Sequence, residues 1–273
     1  MGEIVSSLLF GGHMEFNFKK KYGQNFLIDD NIIKKITSYV DAKEDDLILE
    51  IGPGSGNLTK ELVKFNCLYI GFEIDTDTKK YLAKYENNNT EFIYDDFLKC
   101  DIKTILENKK YNRLFIVANL PYYITTPIIK KITDSNIEVY KQILMVQNEV
   151  ADRLSSEPKS KDYGYITIYL NYFYIIKKLF VVKRECFIPS PNVDSAVIML
   201  ETRKNKEDID IALFNKLVST AFLSKRKTIK NNLKGYDLKV IENVLLNNGL
   251  SLQSRPEEID YKVYIEIIEE LLK

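Results

Sequence analysis

A glycine-rich turn at residues 52–56, of sequence Gly-Pro-Gly-Ser-Gly, follows directly on a short apolar run and precedes a segment of helical periodicity. Glycines at such a turn let the chain pass tightly from a strand into a helix and let the backbone approach a ligand closely. The turn therefore predicts a βαβ unit with a ligand at the carboxyl end of its first strand. Asn57 replaces the third glycine of the dinucleotide-binding pattern, which disfavours an NAD-dependent oxidoreductase and suits a nucleoside ligand without a pyrophosphate.

The same alternation of short apolar runs and helical segments continues from residue 19 to residue 200. This alternation is typical of a mostly parallel sheet covered by helices, so we predict an α/β fold. Helices are predicted at 31–40 and 58–65. Strands are predicted at 47–51, 68–72, 91–94, 114–118, 143–147, 179–183 and 196–201, and the last two resemble a hairpin at the edge of the sheet.

The pattern changes after residue 202, where a charged linker at 203–210 leads into a segment that is helical to the end of the chain. The first helix of this segment has one apolar face, formed by Phe214, Leu217, Val218, Ala221 and Phe222. We therefore predict a first domain at 14–202 and a small helical domain at 203–273. Residues 1–13 are interpreted as a cloning-derived leader, because Gly12-His13-Met14 resembles a vector junction before a second start methionine.

The composition is that of a folded chain, with 45% hydrophobic residues and 39 basic against 39 acidic residues in 273. No run of roughly 18 apolar residues is present, so we expect a soluble protein without a membrane-spanning helix. The three cysteines lack Cys-x-x-Cys spacing, which disfavours disulfides and zinc and favours a reducing cytoplasm. The single histidine, His13, lies in the leader, so we expect no metal site and no histidine-based nucleophilic catalysis.

Polar residues follow three further predicted strands, and the carboxyl ends of parallel strands meet at one edge of a sheet. Glu73 can accept hydrogen bonds from both hydroxyls of a ribose, and Asp95 or Asp96 could read an adenine amino group. The fourth strand ends in Asn-Leu-Pro-Tyr at 119–122. The Asn119 oxygen and a backbone carbonyl could hold an exocyclic amine while a tyrosine ring stacks on its base. Together these residues indicate a nucleoside-binding crevice beside a site for an amine substrate.

These motifs resemble those of the ribosomal RNA adenine N6,N6-dimethyltransferases, S-adenosylmethionine-dependent enzymes with a Rossmann-like sheet. The resemblance extends from residue 21 to the C-terminus and includes Lys-Tyr-Gly-Gln-Asn-Phe-Leu at 21–27 and Phe-Ile-Pro-Ser-Pro-Asn-Val-Asp-Ser at 187–195. In the helical domain, residues 221–228, 231–233 and 255–257 resemble the branch that modifies small-subunit rRNA. The related antibiotic-resistance enzymes, which act on large-subunit rRNA, share only the motifs of the first domain.

The resemblance implies roles for individual residues. Asn25 and Leu27 would cover the cofactor, Gly52 and Gly54 would face its methionine part, Glu73 would bind its ribose and Asp96 its adenine, with Asp95 as the alternative. Asn119 would contact both the cofactor and the target amine, together with Leu120 and Pro121. Tyr122 and Phe187 would stack on a flipped target base, packing of these rings in the core being the alternative.

The resemblance also implies N6,N6-dimethylation of two adjacent adenosines near the 3′ end of small-subunit 16S-type rRNA during ribosome biogenesis. Seven basic residues between 216 and 239, among them Lys225, Arg226, Lys227 and Lys230, would bind RNA phosphates together with Lys19–Lys21, a solvated helix face being the alternative. We expect a cytoplasmic monomer without membrane contact, and an organellar origin stays open. The alternative functions are large-subunit rRNA methylation conferring antibiotic resistance and a non-enzymatic RNA-binding or transcription-assisting role.

Overall fold

The computed structural model describes residues 25–273 in full and the backbone of residues 4–10 and 14–19. The chain divides into two compact units. The first unit contains Met1–Asn148 and Lys178–Leu200, and the second contains Glu149–Lys177 and Glu201–Lys273.

A seven-stranded sheet, with strand order β6-β5-β4-β7-β8-β11-β9, forms the centre of the fold. Strands β4 to β8 pair in parallel, and most apolar side chains of β4, β5, β7 and β8 are buried on both faces, as in sheets that helices cover from both sides. The strands of the chain are β1 (Ile4–Phe10), β2 (Met14–Lys19), β3 (Phe26–Leu27), β4 (Leu47–Ile51), β5 (Leu68–Phe72), β6 (Thr90–Ile93), β7 (Leu114–Asn119), β8 (Lys141–Gln147), β9 (Tyr174–Val182), β10 (Phe187–Ile188) and β11 (Ser195–Thr202).

The sequence predicts the strands of this sheet with shifts only at their ends. β4 and β5 have the predicted bounds, and β9 and β11 are neighbours at one edge, as expected. The largest shift is in β9, which begins at residue 174 instead of 179. Its first half alternates between buried and exposed residues because it is an edge strand, so it does not form a continuous apolar run.

The strand register brings the predicted polar residues to one edge of the sheet. Ile51 of β4 is paired with Phe72 of β5 on one side and with Ala118 of β7 on the other. The residues that come next after these three, Gly52, Glu73 and Asn119, are therefore neighbours. Because the chain runs outward from β4 in opposite directions through β5 and β7, this edge is the switch point at which open α/β sheets bind ligands.

The described part of the chain contains eleven α-helices. They are α1 (Asp30–Thr37), α2 (Thr59–Leu62), α3 (Lys79–Leu82), α4 (Ile102–Glu107), α5 (Thr125–Asp134), α6 (Asn148–Leu154), α7 (Tyr165–Phe173), α8 (Ile211–Ala221), α9 (Ile229–Asn232), α10 (Leu238–Asn247) and α11 (Tyr261–Leu271). The Asp29 carboxylate caps α1 by accepting from the backbone N–H groups of residues 31 and 32. No helix in the described part of the chain is both long and apolar enough to cross a membrane.

One face of the sheet is packed against α1 and α2. Ile33 and Ile36 of α1 and Leu62 of α2 contribute to a buried hydrophobic cluster with Ile48 of β4 and Phe115 of β7. The predicted helix at 58–65 is present as α2 followed by a 3-10 helix at Val63–Phe65. The predicted helix at 31–40 ends earlier, at residue 37, because the next residues form tight turns back onto it.

The second unit is helical. The predicted apolar face of α8 is buried through Phe214, Leu217, Val218 and Ala221, while Phe222 is half-buried at the end of the helix. Residues 149–177 also belong to this unit, although the sequence analysis assigned them to the first domain. The reason is that α7 packs on α8 and α11, with the rings of Tyr172 and Phe214 5.5 Å apart.

Residues 4–10, which fall in the predicted leader, form β1, and β1 pairs antiparallel with β2. Cys67, Cys100 and Cys186 are free thiols, of which Cys67 is buried.

Candidate active site

A crevice with about 850 Å³ of space, part of it open to solvent, lies at the carboxyl ends of β4, β5 and β7. Most of the predicted site residues line it. Those that do are Asn25, Gly52, Gly54, Glu73, Asp95, Asp96, Asn119, Leu120, Pro121 and Tyr122. Leu27 and Phe187 do not.

Glu73 is held rigidly at the end of β5. Its side chain is only 4% exposed, Oε2 accepts from the Gly54 N–H at 2.8 Å, and Oε1 accepts from the Asp75 N–H at 2.8 Å. Burial raises the pKa of Glu73, and the two backbone hydrogen bonds oppose this shift. Since a carboxylate offers about four acceptor positions, each oxygen can still accept one bond from a ligand diol.

Gly54 has a positive φ of 58° and contacts the Phe26 ring closely, because a Cβ atom at Gly54 would lie 2.5 Å from Phe26 Cε1. This position therefore requires glycine for both backbone conformation and space. Phe26 lines the crevice, whereas the sequence analysis assigned that role to Leu27. Leu27 is 4% exposed and packs in the hydrophobic cluster, since successive residues of a strand point in opposite directions.

Asn57 has a role that the sequence analysis missed. Its Nδ2 donates to the Leu27 carbonyl oxygen at 2.8 Å. The residue that departs from the dinucleotide-binding pattern thus ties the segment containing Asn25 and Phe26 to the end of the glycine turn. Nothing in the local sequence identifies this bond, because its partners are thirty residues apart.

The Asn119 side chain has a fixed orientation. Its Nδ2 donates to the Asn25 carbonyl oxygen at 2.9 Å, which leaves Oδ1 as the amide atom able to accept a bond from a ligand. The Leu120 N–H donates to the Met145 carbonyl at 3.1 Å, and no donor in the described part of the chain bonds to the Leu120 carbonyl. Asn119 Oδ1 and the Leu120 carbonyl therefore constitute a pair of acceptors on the crevice wall.

Tyr122 is anchored by a residue to which the sequence analysis gave no role. Its hydroxyl is 2.8 Å from Ser195 Oγ at the start of β11, and Ser195 is fully buried. Burial raises the pKa of Tyr122. This hydrogen bond connects the motif at 119–122 to the motif at 187–195.

The structure corrects the prediction for Phe187. The ring is 2% exposed and packs in the hydrophobic cluster, and β10, to which Phe187 belongs, pairs antiparallel with β3. Because its side chain is directed into the core, Phe187 does not line the crevice or form an aromatic pair with Tyr122. Tyr123, 62% exposed, is the second tyrosine at the crevice.

Asp95 and Asp96 both line the crevice, so the sequence ambiguity between them persists. Asp96 is half-buried, its Oδ1 accepts from the Leu98 N–H at 3.0 Å, and its Oδ2 is 3.5 Å from Lys99 Nζ. Asp95 is exposed and accepts from the Asp96 N–H at 2.7 Å. The Asp96 carboxylate, which is half-buried and already accepts a hydrogen bond from the Leu98 N–H, is the more restrained of the two.

A buried carboxyl group connects the elements around the glycine turn. Glu50, on β4, is 1% exposed, and its Oε2 accepts from the hydroxyl of Thr59, at 2.7 Å, and from that of Tyr69. Burial raises the pKa of Glu50 to about 7, while the two hydroxyl bonds oppose the shift. These bonds join β4, β5 and the first residue of α2 around the glycine turn.

In the second unit, the four predicted RNA-binding residues, Lys225, Arg226, Lys227 and Lys230, are exposed, and none of them forms an ion pair with a described residue. Lys225 differs from the others because its Nζ donates to the Tyr163 carbonyl at 3.0 Å. The side chains of Lys19–Lys21 lie outside the described residues.

Comparison with known proteins identifies the family. Residues 15–273 match the family described as ribosomal RNA adenine dimethylase. The chain belongs to the ribosomal RNA adenine dimethylase family. It is 42% identical to the ribosomal RNA small subunit methyltransferase A of Mycoplasma mobile, over 94% of this chain and all of that protein. It is 40% identical to the protein of the same name from Thermotoga petrophila, over 92% of this chain and 90% of the relative.

Solved structures give the same fold. A dimethyladenosine transferase from Plasmodium falciparum superposes with a TM-score of 0.75 at 25% identity, over 90% of this chain and 96% of that one. The 23S rRNA methyltransferase ErmE superposes with a TM-score of 0.71 at 23% identity, over 91% of this chain and all of that one, and shares the fold. Membership of the ribosomal RNA adenine dimethylase family confirms the predicted fold, enzyme class and cofactor, S-adenosylmethionine.

Proposed function

We propose that the protein transfers methyl groups from S-adenosylmethionine to N6 of adenosines in small-subunit rRNA, twice at each target, and that the targets are two adjacent adenosines near the 3′ end. The observation that carries this proposal is the acceptor pair of Asn119 Oδ1 and the Leu120 carbonyl, in the same crevice as Glu73. The curated relatives named as small-subunit methyltransferases support this branch over the large-subunit one.

The crevice fits the cofactor. The remaining acceptor positions of Glu73 suit a ribose diol, and the half-buried Asp96 suits the adenine amino group, with Asp95 as its neighbour. Gly52 and Gly54 leave space for the methionine part, and Asn25 and Phe26 line the crevice beside them. When bound, S-adenosylmethionine supplies a methyl group that its sulfonium centre already activates for transfer.

The chain contributes orientation and electrostatics. Adenine N6 is a weak nucleophile because its lone pair is delocalised into the ring. Two acceptors, Asn119 Oδ1 and the Leu120 carbonyl, would bind the two N6 hydrogens, favour a pyramidal nitrogen and stabilise the positive charge that develops there. Since both groups only accept hydrogen bonds, we assign no general base, and the displaced proton leaves to water.

The target base would stack on Tyr122, which Ser195 holds in place. An adenine stacked in a helix cannot reach the crevice, so the target is flipped out or already unpaired. We do not assign this contact to Phe187, because its ring is 2% exposed and packs in the hydrophobic cluster. Pro121, with φ of −57°, fixes the direction of the chain between the acceptor pair and the stacking ring.

Small-subunit rRNA would bind to the exposed basic residues of the second unit, Arg226, Lys227 and Lys230 in particular. Each phosphate contact releases a counterion, so affinity should fall steeply as salt rises. We further propose that the protein acts as a monomer during ribosome biogenesis, in the cytoplasm of a bacterial cell.

The test uses labelled S-adenosylmethionine with unmethylated small ribosomal subunits and, in parallel, large subunits, followed by digestion and mass analysis of the nucleosides. We expect N6,N6-dimethyladenosine in small-subunit rRNA alone. Label in large-subunit rRNA would assign the protein to the antibiotic-resistance branch. Absence of label from both, with cofactor binding intact, would favour a non-enzymatic RNA-binding role and contradict the proposal.

A further inference from the structure

An exposed leucine, Leu223, lies within the stretch of seven basic residues at 216–239, here called the basic segment. Leu223 lies two residues after the end of α8, and its side chain is 79% exposed, more than any other large hydrophobic residue among those described. The turn continues with Ser224 and the basic residues at 225–227. At this exposure the side chain buries little apolar surface within the fold, so most of that surface is available to a partner.

Hydrogen bonds from the Asn232 side chain hold the backbone of the turn that contains Leu223. Asn232 Nδ2 lies within hydrogen-bond distance of three of its carbonyl oxygens, at 2.7 Å from Ala221, 3.1 Å from Ser224 and 3.4 Å from Lys227, and its two hydrogens bond chiefly to the nearer two. The first of these carbonyls belongs to a residue before Leu223, and the other two belong to residues after it. A single amide therefore defines the path of the turn on both sides of Leu223.

Lys225 connects the same turn to the segment that contains Tyr163. Its Nζ donates to the Tyr163 carbonyl at 3.0 Å and is 3.4 Å from the Lys161 carbonyl. Because its ammonium group is bonded to the protein, Lys225 acts chiefly as an anchor. The cations that remain beside Leu223 are Arg226 and Lys227, both exposed and without an ion pair to a described residue.

We infer that Leu223 is an apolar wedge that packs against or between unstacked bases of the rRNA, while Arg226 and Lys227 bind the phosphates beside them. Positive charge selects a polyanion, and an aliphatic side chain on a braced turn can fill the space between partly unstacked bases. The inference deepens the proposed function and rests on it, since it names how the RNA is contacted.

The test compares Leu223→Ala with Leu246→Ala, a matched control. Leu246 is also an exposed leucine of the second unit, at 59%, but it lies on α10 outside the basic segment. Leu223→Ala should weaken binding to small ribosomal subunits roughly 10-fold, from the apolar area it no longer buries. Leu246→Ala should leave binding unchanged, and both variants should have the melting temperature of the parent.

The salt dependence separates the wedge from the phosphate contacts. Leu223→Ala removes no charge, so the slope of log affinity against log salt should stay the same, whereas Arg226→Ala should reduce the slope by about 0.7. Equal affinity of Leu223→Ala and Leu246→Ala would overturn the wedge. If Arg226→Ala still lowers affinity in that case, the proposed RNA surface stands and only the wedge fails.

A photocrosslink identifies what Leu223 touches. With p-benzoylphenylalanine at position 223 and irradiation of the complex with small subunits, we expect a crosslink to rRNA. A crosslink to a ribosomal protein alone would overturn the inference. Methylation of small-subunit rRNA by the same protein, measured in parallel, shows whether the proposed function holds independently of this result.

Discussion

Glu50 should make the stability of the protein fall as pH rises from about 5 to 8. The carboxyl is 1% exposed and is bonded to the hydroxyls of Thr59 and Tyr69, and burial raises its pKa from 4.5 to about 7. The folded state therefore retains a proton that the unfolded chain releases near pH 4.5. The stability that this proton contributes is fully present below pH 4.5 and is lost as pH rises through 7.

The expected size follows from the shift. The difference between 4.5 and about 7 corresponds to on the order of 3 kcal/mol over the whole window, because one pKa unit equals about 1.4 kcal/mol. Between pH 5 and pH 8, about 2–3 kcal/mol of this should be lost. Glu50→Gln keeps an acceptor for both hydroxyls but cannot ionise, so the variant should lack this contribution to the pH dependence.

The free energy of unfolding, measured by urea titration at pH 5, 6, 7 and 8 for the parent and for Glu50→Gln, tests this reasoning. Other titrating groups are common to both proteins, so their effects cancel in the difference between the two curves. The parent should lose about 2–3 kcal/mol relative to the variant as pH rises. A difference that stays constant from pH 5 to pH 8 would refute the assignment of a raised pKa to Glu50.

Three further outcomes are expected. Arg113→Met should lower the free energy of unfolding at pH 7 by about 2–4 kcal/mol, because Asp46 is 1% exposed and loses an Arg113 Nη2 bond of 2.6 Å. Burial opposes ionisation of Asp46, but its hydrogen bonds outweigh burial and lower its pKa, so the urea-measured deficit should shrink in acid. Asn119→Ala should reduce kcat at least about 100-fold in the methylation assay, with an unchanged circular dichroism spectrum; near-normal turnover would contradict its role. Ser195→Ala and Tyr122→Phe each remove the same 2.8 Å hydrogen bond, so their effects on kcat should not add in the double variant.

The strands that carry the site could be predicted from sequence because each of them is an apolar run buried on both faces. β4 and β5 are examples, and their ends place Gly52 and Glu73 together without any knowledge of tertiary structure. The same reasoning succeeds for Asn119 at the end of β7. Parallel strands align their carboxyl ends, so strand prediction alone is enough to assemble this part of the crevice.

The residues contributed by short elements could not be predicted in the same way. β3 and β10 have two residues each, so no periodicity shows which side chain points into the core. Their antiparallel pairing decides the matter, with Phe187 opposite Leu27, and both side chains pack in the hydrophobic cluster. The pairing joins segments 160 residues apart, and that information is absent from either segment taken alone.

Two asparagine amides bond to the short segment at residues 25–27 beside the crevice. Asn57 Nδ2 bonds to the Leu27 carbonyl, and Asn119 Nδ2 bonds to the Asn25 carbonyl, so both amides hold the same short segment. The bond from Asn119 also determines which of its amide atoms can accept a hydrogen bond from the proposed target amine. The bond from Asn119 therefore contributes both to the position of this segment and to the orientation of the proposed acceptor for N6. In the proposed mechanism, which orients two reactants without a general base, this shared bond would help to align the methyl donor and the nucleophile.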